Sequence, residues 1–188
     1  MAQHYTELDV VDELTTDHRE ALELLDRIVG SNDPTQRREL ADIVITEVVR
    51  HSVAEEMYLY PVMRKYLPQG ADTVEHDTEE HNHLDEVMKQ LEKVDATDPT
   101  FQTLVEQMTD ALRHHAQDEE TEQFPELREW VPREQLIQLR TQVQSAKRIA
   151  PTRPHPHSPH DELFHMLVGP GVGLMDRVRD KLTGRATG

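Results

Sequence analysis

Cysteine is absent from the 188 residues. That rules out a disulfide framework, thiolate zinc sites, iron–sulfur ligation through cysteine and thiol catalysis. No apolar run is long enough to span a bilayer and no secretory signal is evident, so a cytoplasmic protein is expected. Positive charge is scarce. Lys and Arg number 20 against 37 Asp and Glu, for a formal net charge of −17 and a pI near 5.0. Such a surface argues against nucleic acid and against anionic membranes, and it suits a soluble, monodisperse protein, a monomer or weak homodimer. No nucleophile–base pair or phosphate-cradling loop stands out. Histidine, with 12 residues, is the outlier on the other side.

The chain is organised around a stretch written twice. His51-Ser52-Val53-Ala54-Glu55-Glu56-Met57-Tyr58-Leu59-Tyr60-Pro61 recurs as His115-Ala116-Gln117-Asp118-Glu119-Glu120-Thr121-Glu122-Gln123-Phe124-Pro125. Each copy has a histidine, glutamates four and five residues later, an aromatic at nine and a proline at ten. A helix brings residues four apart onto one face, about 6 Å apart along the axis, so each His and the Glu four on can approach one cation.

The apolar pattern decides which face that is. Leu40, Val44, Tyr58 and Val62 continue the stripe through His51 and Glu55; Leu104, Met108, Ala111, Leu112 and Leu127 do so for His115 and Glu119. These donors therefore point into a core, where an unpartnered carboxylate costs several kcal/mol. Two repeated pairs call for a shared partner, and a divalent cation is the economical one. His18 lies in the stripe of Leu14, Leu22 and Leu25, and His81 lies near the edge of that of Leu84, Met88 and Leu91. His83 falls well outside its stripe and His114 is turned 100° from His115, so both are expected to face solvent. Asp77 and His76 are open alternatives, either as further ligands or as parts of a solvated first turn.

An all-α chain is expected, with helices over about 9–29, 35–67, 72–94 and 98–130 and a shorter fifth helix marked by Leu136, Ile137, Leu139, Val143 and Ile149. Asp33-Pro34 and Asp98-Pro99 read as cap-then-proline starts, and Asp72 with Glu75 as a capping box. Pro61 and Pro125 should kink their helices just past the repeated donors. The organisation is then a bundle over 1–131, an additional helix over 132–150, and a proline- and histidine-rich strap with a short amphipathic helix, Val172 to Leu182, over 151–188.

With His18, His51-x3-Glu55, His81 and His115-x3-Glu119 in this order, one set per helix over about residues 9–131, the chain resembles the hemerythrin-like HHE cation-binding family, its proline-rich tail being like those of actinobacterial relatives. The resemblance implies an up-down-up-down four-helix bundle around two non-heme iron ions, oxo- or hydroxo-bridged and about 3.5 Å apart. It implies that Glu55 and Glu119 bridge the irons while His18, His51, His81 and His115 complete their shells.

Two departures bear on function. Oxygen-carrying hemerythrins have a histidine where this chain has Asp77, and their fourth-helix carboxylate matches Glu120 rather than Glu119, which follows the internal repeat. The missing histidine leaves one iron an open or carboxylate-filled position, which argues against simple reversible oxygen carriage and is what peroxide or nitric oxide needs; the expected function is binding of oxygen, nitric oxide or peroxide in a redox stress or sensing role. A di-iron enzyme with catalase-like peroxide turnover, and an iron- or zinc-stabilised bundle without redox role, are the alternatives.

Overall fold

The computed structural model describes residues 7–153. Among these every regular element is helical: α1 Val10–Gly30, α2 Pro34–Ala54, α3 Tyr60–Tyr66, α4 Gly70–Leu91, α5 Pro99–Asp118, α6 Phe124–Trp130 and α7 Arg133–Ile149. α2 runs into α3, and α5 into α6, through π turns at Glu55–Leu59 and Glu119–Gln123. The result is four rods joined by short turns in up-down-up-down order. α1 packs on α2 and α5, α4 packs on α5, α2 and α3, and α7 lies across α1 and α2.

The helix starts follow local chemistry. Asp9 forms a capping box with Asp12, while Asp33 and Asp98 accept the amides of Thr35 and Thr100 ahead of a proline in the first turn. The third rod differs from the expected start at Asp72. α4 begins at Gly70 with no side-chain cap, and a Cβ there would collide with the Met63 carbonyl oxygen. Glycine alone lets α4 leave so close to the end of α3.

The prolines act through the π turns. Tyr60 donates its amide to Glu55 and Phe124 to Glu119, a five-residue spacing, and the next residue is Pro61 or Pro125. A widened turn leaves one carbonyl without its amide where the ladder returns to four-residue spacing, which is where a residue lacking N–H fits. The irregularity thus begins on the inward glutamate itself rather than past it.

Leu14, Leu25, Ile45, Met63, Leu84, Met88 and Met108 are among the fully buried side chains that fill the bundle. Arg128 and Arg133 both reach buried Asp9, tying the bundle's last turn and α7 to the start of α1. No helix among the described residues is long and apolar enough to cross a membrane. Residues 154–188, with most of the strap and the expected amphipathic helix, lie outside the described residues.

Candidate metal centre

One residue from each rod reaches a common level: His18 on α1, His51 on α2, His81 on α4 and His115 on α5. Glu55 and Glu119, each the first residue of a π turn, join them, and none of the six is more than 4% exposed. The inward atoms are the Nε2 nitrogens and the carboxylate oxygens. Glu55 Oε2 lies 3.1 Å from His51 Nε2, 3.4 Å from His81 Nε2 and 4.0 Å from His115 Nε2. Glu119 Oε2 lies 3.2 Å from His18 Nε2 and 3.7 Å from His115 Nε2, and the Nε2 atoms of His18 and His51 face each other at 3.2 Å. Despite these approaches neither oxygen of Glu55 or Glu119, nor His115 Nε2, has hydrogen-bonding alignment with a partner. Donors held at about 2.1 Å from one tetrahedral ion stand about 3.4 Å apart, within the range of these separations.

The other ring nitrogens explain why Nε2 faces inward. His51 Nδ1 lies 3.3 Å from Asp17, His81 Nδ1 3.0 Å from Glu56, His115 Nδ1 2.9 Å from Glu80, and His18 Nδ1 2.8 Å from Glu120. Each helix lends a carboxylate to the histidine of the next, and the ring closes from α5 back to α1. A carboxylate that accepts a hydrogen bond from Nδ1–H leaves the Nε2 of a neutral ring with its lone pair free and the ring fixed in orientation, the usual support of a metal-bound imidazole. The repeat is carried further by its aromatic residues. Tyr60 stacks on His81 with ring centres 5.7 Å apart, and Phe124 on His18 at 6.0 Å.

So much buried carboxylate demands positive charge. Burial alone would lower the His51 pKa, but Glu55 and Asp17 outweigh it and raise it to about 10. Glu55 goes the other way: burial would raise its carboxyl, yet His51 and His81 hold it well below its ordinary range. Protons on imidazole and a metal cation are two ways of meeting the same charge, and they compete.

The Hemerythrin HHE cation binding domain profile matches residues 9–127. The chain belongs to the hemerythrin HHE family. It is 26% identical over 174 residues to an uncharacterized hemerythrin-like protein of Schizosaccharomyces pombe, covering 92% of this chain and 86% of that one. It is 28% identical over 141 residues to a DNA nickase of Nostoc; that match takes in 75% of this chain, which spans only 40% of the nickase. No solved structure matches. With its buried His and Glu cluster, this hemerythrin domain is a metal-binding helical domain.

Within the hemerythrin bundle the remaining candidates separate. Glu119 points to the centre while Glu120 is partly exposed and holds His18 from outside. Asp77 is fully buried; its Oδ1 accepts from Gln123 Nε2 at 2.8 Å, and its Oδ2 has no hydrogen-bond partner. Burial, reinforced by the charge of Glu119 and only partly offset by Gln123, pushes the Asp77 pKa up to about 8. His76, His83 and His114 are exposed.

The residues that sequence reasoning missed are Asp17, Glu56, Glu80 and Tyr60. Each of the three carboxylates is the sequence neighbour of an inward donor, His18, Glu55 or His81, and that adjacency was the available signal. In the π turn, successive residues are set less than the α-helical 100° apart, which lets Glu55 and Glu56 both be buried.

Proposed function

We propose that the cluster holds two non-heme iron ions and that the protein binds a small oxidant or diatomic ligand there, oxygen, nitric oxide or peroxide, in redox stress or sensing. His18, His51, His81 and His115 would be the nitrogen ligands; Glu55 and Glu119, each facing histidines from more than one helix, would be shared by the ions. The observation that supports this most is the ring of four carboxylates on the four Nδ1 atoms, which occupies every outer nitrogen and turns every Nε2 toward the centre. Imidazole and carboxylate without thiolate suit iron better than Cu(I) or a structural zinc site. When bound, an iron pair supplies one- and two-electron exchange with such ligands.

The chain's own residues supply access and proton control. A cleft of about 220 Å³ between α1 and α2 is walled by Ala21, Leu24, Val48 and Leu112 and reaches His18 and His51. These apolar walls, with Asp17, Glu20 and Glu47 beside them, suit a small neutral ligand and repel anions. At the opposite end lies buried Asp77, its Oδ1 engaged by Gln123; in the metal-free chain burial and the charge of Glu119 raise its pKa to about 8. A buried acid beside the centre favours a second reading, peroxide turnover, because reduction of an oxygen–oxygen bond consumes protons. No nucleic-acid role is proposed: the DNA nickase is longer than the matched region, and a net charge of −17 opposes binding to phosphate.

Iron per chain with a visible spectrum tests the reading. Two iron ions per chain and a spectrum that changes reversibly with oxygen or nitric oxide are expected. Sustained oxygen evolution from peroxide would select turnover, and zinc in place of iron, with no spectral response, would sink both.

A further inference from the structure

A second cluster of metal-type donors lies on the outer face of α4 and α5. His76 and Glu80 come from α4, His114 and Asp118 from α5, each pair with the same four-residue spacing as the buried His and Glu, so each helix offers one imidazole and one carboxylate side by side. His76 Nε2 is 3.7 Å from Glu80 Oε1 and 3.8 Å from Asp118 Oδ2. His114 Nε2 is 3.6 Å from Glu80 Oε1, and its Nδ1 is 3.7 Å from Asp118 Oδ1. All four contacts are longer than hydrogen bonds. They lie close to the spacing of about 3.4 Å between donors around a tetrahedral ion. One donor atom each from His76, Glu80 and Asp118 fall within 4.8 Å of one another. His76 and His114, 53% and 65% exposed, border a cleft of about 230 Å³ that solvent reaches.

The other half of the bundle shows what this position requires. Asp17 there plays the part of Glu80: one oxygen holds His51 Nδ1, and the other receives the Lys147 ammonium from α7. Glu80 likewise gives Oε2 to His115, but α7 packs across α1 and α2, and what faces Glu80 Oε1 is the pair of exposed imidazoles. A cation held there would take the place that the Lys147 ammonium fills beside Asp17.

We propose that the α4–α5 face carries a second, solvent-facing site in which His76, Glu80 and Asp118 bind a borderline divalent ion such as zinc or ferrous iron, with His114 bordering it, where Lys147 sits on the opposite half. One imidazole with two carboxylates, leaving a position for water, matches that class of ion. The site does not depend on what the buried centre holds, yet Glu80 joins them, one oxygen outward and the other on His115.

Calorimetric titration of the full chain with zinc alone tests this, comparing the natural protein with His76→Ala/His114→Ala and with His83→Ala. One zinc equivalent present in the natural protein and in His83→Ala should be lost, or weakened at least tenfold, in the double variant. Helical circular dichroism should stay unchanged, since both side chains are exposed. The histidines at 155, 157 and 160 are common to all three proteins, so their uptake cancels. Equal zinc number and affinity in the natural protein and the double variant would overturn the proposal. His51→Ala, which removes a buried donor that does not touch Glu80, should keep the equivalent, and this separates failure here from failure of the buried-iron reading.

Discussion

The two hairpins, α1 with α2 and α4 with α5, present the same donors and surround them differently. His18 and Asp17 correspond to His81 and Glu80, and the repeat places His51, Glu55 and Glu56 against His115, Glu119 and Glu120. The difference lies one helical turn away. Four residues before His18 stands Leu14, and four before His81 stands Asp77; four after Glu55 stands Leu59, and four after Glu119 stands Gln123. Two buried leucines in one half are thus a hydrogen-bonded Asp–Gln pair in the other. Tyr60 adds its hydroxyl to the polar side, 3.1 Å from His81 Nδ1, where Phe124 brings only a ring to His18. The lesson is a division of labour. Helical spacing repeats the donor set, and the residues one turn off it give the centre a dry side in the first hairpin and a polar side, Asp77 with Gln123, in the second.

The largest effect should come from testing whether the halves are equivalent as donors. His51→Ala and His115→Ala should each weaken iron binding more than tenfold, since losing a direct ligand costs at least as much as losing one of its supports. Iron per chain after dialysis reads this out, and a variant that keeps its iron would break the equivalence.

The turns that enter the second rod of each kind supply the next contrast. A Cβ on Gly70 would collide with the Met63 carbonyl, while one on Gly30 would meet nothing within 4 Å. Gly70→Ala should therefore cost about 1–3 kcal/mol, as overpacking does, and Gly30→Ala no more than about 0.5 kcal/mol. Thermal midpoints of the two variants side by side decide it; equal midpoints would show that α3 and α4 can move apart freely.

The last effect sharpens the distinction between the dry and the polar side. In chelator-treated protein, folded Asp77 keeps its proton up to about pH 8, whereas in the unfolded chain it loses it near the ordinary 3.8. The folded state then binds more protons across that window, so this group lowers stability as pH rises from about 4 to 8. Asp77→Asn cannot ionise. It should raise the thermal midpoint more at pH 8 than at pH 5, by at least about 2–4 °C, and an equal change at both pH values would mean that Asp77 titrates normally.

Much of this was legible in the sequence because it rests on local rules. Helix starts at Asp9, Asp33 and Asp98 follow from side chains that meet their own backbone a few residues on. The inward direction of His18, His51, Glu55, His81, His115 and Glu119 follows from a 3.6-residue period whose other members are apolar and buried. The start of α4 was not legible, since the Cβ clash at Gly70 involves a carbonyl of another helix. The partners of the four Nδ1 atoms were not legible either. Asp17 adjoins His18 in the chain yet serves His51, and Glu120 adjoins Glu119 yet serves His18. Adjacent residues leave a helix about 100° apart, so a carboxylate next to an inward donor is aimed at the neighbouring rod. Which imidazole it meets there depends on the level and rotation of that rod, set by packing across the whole core. The face shared by His76, Glu80, His114 and Asp118 arose the same way: the spacing on each helix is local, but only the docking of α4 on α5 brings the two pairs together.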